Sequence, residues 1–171
     1  MTKLHVGMLC VVGGAFVLVP TGDSAQPSWE GSPIHTSNET RAILDHLMGA
    51  WSGEGELFGQ PATFGMTWET QLYGRFLELT YEISGAVQMI AIAHYRTTGD
   101  TLRGVWVDSR GEILQLQATV TDSTLDTIWQ SPTETGRTVY QSLSADSLYV
   151  RDYVRGESGW REFGAARYAR R

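Results

Sequence analysis

After residue 50 the hydrophobic and polar positions alternate with a period of two, which is the period of a half-buried β-strand. In the segment 77–83 the odd-numbered residues are Leu, Leu, Tyr and Ile, and the even-numbered ones are Glu, Thr and Glu. Nine turn signals divide the chain into ten candidate strands, and they lie at 59–61, 74, 84–85, 99–100, 110–111, 122–123, 131–136, 145–146 and 156–159. The pattern predicts an all-β domain.

The even spacing of these strands, with no helical segment among them, is typical of an antiparallel up-and-down arrangement. A sheet of ten strands curls, and closing it into a barrel removes both exposed edges. We therefore predict a ten-stranded barrel, with a two-sheet sandwich as the alternative. The first three strands have one apolar and one acidic face, but strands four to nine are partly apolar on both faces. Their inward face is therefore not assigned.

One short helix is predicted before the first strand. Thr36 and Glu39 form a capping-box pattern. Gly49 is well placed to end the helix. The apolar residues between them, at helical spacing, are Ile43, Leu44, Leu47 and Met48. We assign residues 37–171 to the barrel domain and the proline-containing segment 26–36 to a linker.

The first 25 residues have the pattern of a secretory signal peptide. Lys3 precedes an apolar run at 6–19, and small residues lead to Ala25, as in cleavable export signals. An uncleaved anchor is the alternative. Cleavage would remove Cys10, the only cysteine, and leave a secreted or periplasmic domain without disulfides.

Composition restricts the partners. The 171 residues contain 13 Lys and Arg against 19 Asp and Glu, for a formal net charge of −6. Binding to nucleic acid needs clustered cations, so we expect no nucleic-acid partner. We also expect no stable membrane insertion after signal cleavage, and nothing in the sequence indicates an oligomeric state.

The segment 49–55 reads G-x-W-x-G-x-G and opens the first strand directly after the helix. Gly49 can take the left-handed conformation that ends a helix. Trp51 can plug one end of a barrel, and Gly53 and Gly55 allow the strand to bend there.

This motif, its position and the ten strands resemble the calycin barrels: lipocalins, fatty-acid-binding proteins and nitrobindin-like proteins. The resemblance covers residues 40–170 and is strongest to the nitrobindin-like group and to an uncharacterised family of lipocalin-like domains. The segment 106–111, WVDSRG, belongs to the latter resemblance. It implies a barrel that holds a small apolar molecule, or haem. In lipocalins a basic residue of the last strand covers the motif tryptophan, which implies Arg167 or Arg170 here.

Haem is the less favoured ligand. Nitrobindin-like proteins bind its iron through a histidine near the C-terminus, and the last strand, 160–169, has none. We therefore expect no cofactor, although His94 would be a candidate iron ligand if it pointed inward. With His35 and His46 it forms no pair at metal-ligand spacing, so we expect no metal site.

No catalytic residue is predicted, because the sequence lacks a nucleophile motif and Glu54 and Glu56 lie on the face opposite Trp51. For the barrel base we predict Gly49, Trp51, Gly53, Gly55 and Arg167. The candidate ligand-binding residues of the lumen are Phe64, Met66, Trp68, Leu79, Tyr81, His94, Trp106, Trp129, Tyr140, Arg151 and Tyr153.

Arg151 has the largest consequence for ligand chemistry. If Arg151 points inward between Tyr149 and Tyr153, it needs an anionic partner, which would be a carboxylate ligand. A fatty-acid-binding protein holds its ligand in this way, so the resemblance implies the same. In the alternative, Arg151 lies with both tyrosines on an exposed face. The core is then formed by Leu148, Val150 and Val154.

The resulting hypothesis is non-enzymatic binding of a small hydrophobic or amphipathic molecule inside an exported barrel. The alternatives are a haem barrel that uses His94, a solidly packed barrel that binds a protein partner, and a small-molecule isomerase or hydrolase. The last of these needs an inward acid or base with a shifted pKa.

Overall fold

The computed structural model describes residues 38–98 and 101–171, and there it places one helix before ten strands. The elements are α1 (Asn38–Leu47), β1 (Gly49–Leu57), β2 (Gln60–Gln71), β3 (Phe76–Gly85), β4 (Met89–Thr98), β5 (Thr101–Asp108), β6 (Ile113–Val120), β7 (Thr124–Gln130), β8 (Thr135–Ser144), β9 (Ser147–Gly156) and β10 (Gly159–Arg170). The predicted helix and the number of strands are confirmed. The predicted signal peptide and linker lie outside the described residues.

The ten strands form a closed antiparallel barrel. Each strand pairs with the next one in the chain, and β10 returns to pair with β1. The predicted up-and-down barrel is therefore confirmed, and the sandwich alternative is wrong. Closure leaves no unpaired strand edge, which a chain without disulfides would otherwise have to protect.

The structure assigns the inward faces that alternation left open. In β4 the buried residues are Met89, Ala91, Ala93 and Tyr95. Ile90 on the opposite face is 54% exposed. In β9 the side chains of Leu148 and Val150 are buried in the core, so Arg151, one residue further on, lies on the outer face. The outer face of β4 is only partly apolar, because Ile90 and Ile92 share it with His94 and Arg96.

A β-bulge in β10 changes which residues point inward. The register with β9 shifts between Glu162 and Gly164. Arg161 before the shift and Phe163 within it line the cavity, and after the shift Ala166 and Tyr168 are buried. An extra residue on one strand reverses the alternation, so the bulge places Arg161 at one end of the barrel interior.

The helix and Trp51 close the other end of the barrel. Trp51 is fully buried, and its Nε1 donates a hydrogen bond to the Leu47 carbonyl oxygen at 2.8 Å. The Arg170 guanidinium lies 4.2 Å from the Trp51 ring centroid. It donates to the carbonyl oxygens of Met48 and His46 at 2.7 and 2.8 Å. One arginine thus binds the end of the helix to the tryptophan that fills the barrel base.

Arg167, the arginine predicted for this role, lies elsewhere. It is exposed on the outer face, and its guanidinium lies 5.3 Å from the Tyr149 ring. The expectation from the lipocalin resemblance is therefore met by Arg170 and not by Arg167. The two residues differ because Arg167 pairs with Glu54 in mid-strand, whereas Arg170 lies at the end of β10 beside the helix.

The motif glycines are explained by contacts as well as by conformation. Gly49 has φ of +101°, as predicted for the end of a helix. A Cβ at Gly55 would lie 2.0 Å from the Ala165 carbonyl oxygen, and one at Gly53 would lie 2.8 Å from the Tyr168 ring. A side chain at Gly55 would therefore collide with the backbone of β10, and one at Gly53 would collide with the Tyr168 ring.

Replacing Arg170 by alanine is expected to lower the free energy of unfolding by about 2 kcal/mol, because two helix-end carbonyls lose their donor. Urea unfolding followed by circular dichroism measures this change. The matched control is Arg167→Ala, for which we expect a loss below about 0.5 kcal/mol since that side chain is exposed. Equal losses in the two variants would contradict the role of Arg170 at the barrel base.

Candidate ligand-binding cavity

The barrel interior contains a cavity of about 330 Å³. Four of the turns at the end opposite α1 contribute to its lining through Phe58, Val87, Arg110 and Thr133. The cavity therefore opens between these turns and ends inside the barrel, above the layer that contains Trp51. We refer to the turn-lined opening as the mouth.

Apolar side chains form most of the cavity wall. They include two tryptophans, Trp106 and Trp129, and Phe163. The aliphatic wall residues are Leu57, Ile83, Val87, Met89, Leu114, Leu116, Val150 and Val154. Protein interiors are normally packed without voids of this size. The cavity is therefore a candidate binding site and not an ordinary packing defect.

Asp152 is the charged residue that lies deep in the cavity. Its Oδ1 accepts a hydrogen bond from the Thr138 hydroxyl at 2.6 Å. Burial raises the pKa of Asp152 from 3.8 to about 6, with a further increase from Glu162, while the Thr138 bond works in the opposite direction. Burial disfavours the charged carboxylate, so this acid titrates close to neutral pH.

Tyrosine hydroxyls surround the rest of the deep cavity. Tyr81, Tyr95 and Tyr140 line it, and the Tyr168 hydroxyl donates to that of Tyr81 at 3.4 Å. Burial raises the pKa of Tyr95 to about 12 and also raises those of Tyr81 and Tyr140. These phenols stay protonated at neutral pH and are available as hydrogen-bond donors.

Thr127 provides a further polar group. Its side chain is buried at the cavity wall, and a side-chain interaction with Thr127 lowers the pKa of Tyr95 against the larger effect of burial. Within the described residues its Oγ1 has no hydrogen bond of ordinary geometry, so it is able to pair with a polar group on a bound molecule.

The mouth carries charges of both signs. Arg110 lies between Asp108 and Glu112, with N–O distances of 2.9 and 3.3 Å. The backbone amides of Arg110 and Glu112 also donate to Asp108 Oδ1. These bonds fix the turn in the segment 106–111, which was part of the lipocalin-like resemblance. Glu134 and Arg161 complete the charged groups of the mouth.

The predicted lumen residues divide into three groups by position. Tyr81, Trp106, Trp129 and Tyr140 line the cavity. Phe64, Met66, Trp68 and Leu79 are buried on the inner face, toward the closed end. His94, Arg151 and Tyr153 lie on the outer face, and for these three the prediction of an inward position is wrong.

The outward residues have partners on the barrel surface. His94 Nε2 lies 2.7 Å from Glu78 Oε2, and the His94 side chain is 42% exposed. Arg151 lies 5.6 Å from the Tyr149 ring and 6.0 Å from the Tyr153 ring. His94 therefore cannot bind haem iron inside the barrel, and Arg151 cannot hold a carboxylate there. Over the described ranges, no three acidic, histidine or cysteine side chains are grouped as metal ligands.

Sequence reasoning did not select the polar residues that line the deep cavity, namely Tyr95, Thr127, Thr138 and Asp152. One signal was present. Asp152 shares a strand face with Leu148, Val150 and Val154, and a lone carboxylate on an apolar face either lies at its edge or serves a buried site.

The comparisons with known proteins concern the fold. The chain is similar to the S-type phycobiliprotein lyase CPES from Guillardia theta, with a TM-score of 0.55 and 8% identity over 77% of this chain and 92% of the lyase. It is also similar to EF1p2_mFAP2b bound to DFHBI (TM-score 0.42, 13% identity, 77% and 99% covered). A third similar structure is the redesigned beta barrel mFAP1 bound to DFHBI (TM-score 0.39, 14% identity, 76% and 99% covered).

The similarity to the lyase shows the barrel fold alone. No protein-family model and no curated protein matches the chain. Across the two described ranges, no helix has both the length and the apolar character required to cross a bilayer.

Proposed function

We propose that the protein binds a small amphipathic molecule in the barrel cavity without transforming it. The observation that carries this proposal is the one-ended cavity of about 330 Å³ inside an otherwise packed barrel. That volume lies at the lower end of the range of roughly 300–1,000 Å³ typical of small-molecule sites. The G-x-W-x-G-x-G segment at 49–55 favours a lipocalin-like or nitrobindin-like relationship.

The cavity lining supports binding of a molecule with one apolar and one polar part. Trp106, Trp129 and Phe163 offer apolar surface, and burial of ligand surface there supplies roughly 25 cal/mol per Å². Thr127 and Asp152 offer polar atoms deeper inside. The open volume also argues against the alternative of a solidly packed barrel.

Acid–base catalysis in the cavity is the second candidate function. Asp152 favours it, because it is an inward acid whose pKa of about 6 lies near neutral pH. A bound compound recovered with its mass and retention time unchanged after prolonged incubation supports simple binding, whereas a transformed compound supports catalysis.

Native mass spectrometry tests the proposed binding. The protein is purified from an exporting host without denaturant and measured before and after incubation with haem and a panel of amphipathic compounds. We expect a discrete non-covalent adduct of one small molecule per chain. A protein that stays bare through the whole panel would overturn the proposal. Export itself is proposed from residues 1–25 alone.

Replacing Val154 by tryptophan is expected to reduce ligand affinity at least about tenfold, because Val154 lines the cavity near the mouth and an indole there occupies ligand space. The matched control is Val107→Trp on the outer face, where the native side chain is 41% exposed. Titration with a compound identified in the mass spectrum measures both affinities. Unchanged binding to Val154→Trp would place the ligand outside the cavity.

A further inference from the structure

The deep cavity contains a carboxylate that no cation among residues 38–98 and 101–171 neutralises. Asp152 Oδ1 is bonded to Thr138 on β8. Within the described residues Oδ2 has no hydrogen-bond donor, yet it is not sealed from the cavity. Asp152 is half-buried, and partial burial without a counter-ion disfavours its charged form, which a cation on a bound molecule would compensate.

The residues that pair with Asp152 on the adjacent strands, and those that face it across the cavity, carry no positive charge. On β10 it pairs with Gly164, where a Cβ would lie 3.4 Å from Oδ2, so glycine leaves that oxygen room. Glu162, also on β10, adds negative charge. The facing tyrosines are Tyr81, Tyr140 and Tyr168, and the charge of Asp152 contributes to raising the pKa of each.

The remaining charged groups of the cavity lie at the mouth. Arg110 is already paired with Asp108 and Glu112. Glu134 adds another negative charge, and Arg161 is exposed. No arginine or histidine contributes to the titration of Asp152. The interior is therefore negative and rich in aromatic rings, which is an environment that favours cations.

Resting on the proposed function, we propose that the ligand is a cationic amphiphile whose amine pairs with Asp152 and whose apolar part lies against Trp106 and Trp129. An ammonium group donates up to three hydrogen bonds, and the Asp152 carboxylate and the tyrosine oxygens around it are acceptors. This assignment reverses the head-group chemistry expected from Arg151. A fatty acid would have its carboxylate repelled by Asp152, and could pair only with Arg161 at the mouth.

Binding of an amine should depend on pH in a defined direction. The pair requires ionised Asp152, whose pKa is about 6 in the free protein, so the affinity should fall by about tenfold between pH 8 and pH 5. Glu112 and Glu134 at the mouth also carry charge. Any pH dependence of amine affinity that remains in Asp152→Asn comes from groups other than Asp152, so the difference between the variant and the wild-type protein gives the contribution of Asp152.

The test uses three probes of equal chain length: octylamine, octan-1-ol and octanoate. Calorimetric titration at pH 7.5 is expected to rank them in this order, with octylamine at least about tenfold tighter than octanoate. In Asp152→Asn the advantage of octylamine over octan-1-ol should disappear. The control Asp122→Asn should retain it, because Asp122 is exposed in the turn between β6 and β7 and does not line the cavity.

The outcomes separate this inference from the proposed function. Equal or tighter binding of octanoate, or an octylamine preference that survives in Asp152→Asn, would overturn the amine assignment while cavity binding stands. Failure of all three probes and of the wider panel to bind would overturn the proposed function itself. The ranking and pH dependence of the wild-type protein require no variant, so the test does not rely on the folding of Asp152→Asn.

Discussion

Replacing Trp51 by alanine is expected to lower the free energy of unfolding by about 4 kcal/mol. Trp51 is completely buried at the barrel base, so its removal leaves a large void that the closed barrel cannot fill. The variant also loses the hydrogen bond to Leu47 and the stacked guanidinium of Arg170. Urea unfolding followed by circular dichroism measures the change, and Trp51→Phe should lose a smaller part of the stability.

Trp160→Ala is the matched control for this prediction. Trp160 is 38% exposed and lies 5.7 Å from the Arg155 guanidinium on the outer face. Its removal should cost less than about 1 kcal/mol. If the two alanine variants had similar stabilities, Trp51 would not be the plug of the barrel base.

Asp152→Asn is expected to stabilise the protein by about 2 kcal/mol at pH 8 and to have little effect at pH 4. The pKa of Asp152 rises from 3.8 to about 6 on folding, chiefly through burial. The folded protein therefore binds the proton more tightly than the unfolded chain, and stability is lost as the pH rises from about 4 through 6. Asparagine keeps an acceptor for Thr138 and removes the buried charge.

The measured quantity is the difference in unfolding free energy between Asp152→Asn and the wild-type protein at pH 4, 6 and 8. The other carboxyl groups are present in both proteins, so their contributions to the pH dependence cancel in this difference. Asp122→Asn is the control, because Asp122 lies exposed in the turn between β6 and β7, and an exposed substitution of this kind should change the unfolding free energy by less than about 0.5 kcal/mol. A flat difference for Asp152→Asn would mean that the Thr138 hydrogen bond offsets burial.

The barrel was predictable because its determinants are local. Turn signals set the strand lengths, and acidic residues such as Glu54 and Glu82 marked the outer face of the first three strands. The base was partly predictable, because Trp51 and the arginines of β10 were both visible. Arg170 and not Arg167 covers Trp51 because Arg170 lies beside the end of α1. This proximity is a tertiary contact that the local sequence does not specify.

The inner surface was less predictable because alternation separates two faces without showing which one is inside. In β9 this ambiguity decided the chemistry, since Arg151 and Asp152 are neighbours in sequence. The two flanking tyrosines favoured an inward Arg151, but both tyrosine rings lie beside its guanidinium on the outer face. In β10 the bulge at 162–164 adds a reversal for which the pattern of residues gave no signal.

In the part of the chain that the structure describes, the cavity opens at the mouth, and this position sets a geometric requirement for labelled ligands. Asp152 lies four residues from Gly156, which is at the mouth end of β9. With a rise of about 3.3 Å per residue along a tilted strand, its depth below the rim is about 10 Å. A dye or resin attached to an amine must therefore remain outside while the amine reaches the carboxylate. A slender tether of at least that length should permit capture on an affinity matrix, and a shorter one should prevent it.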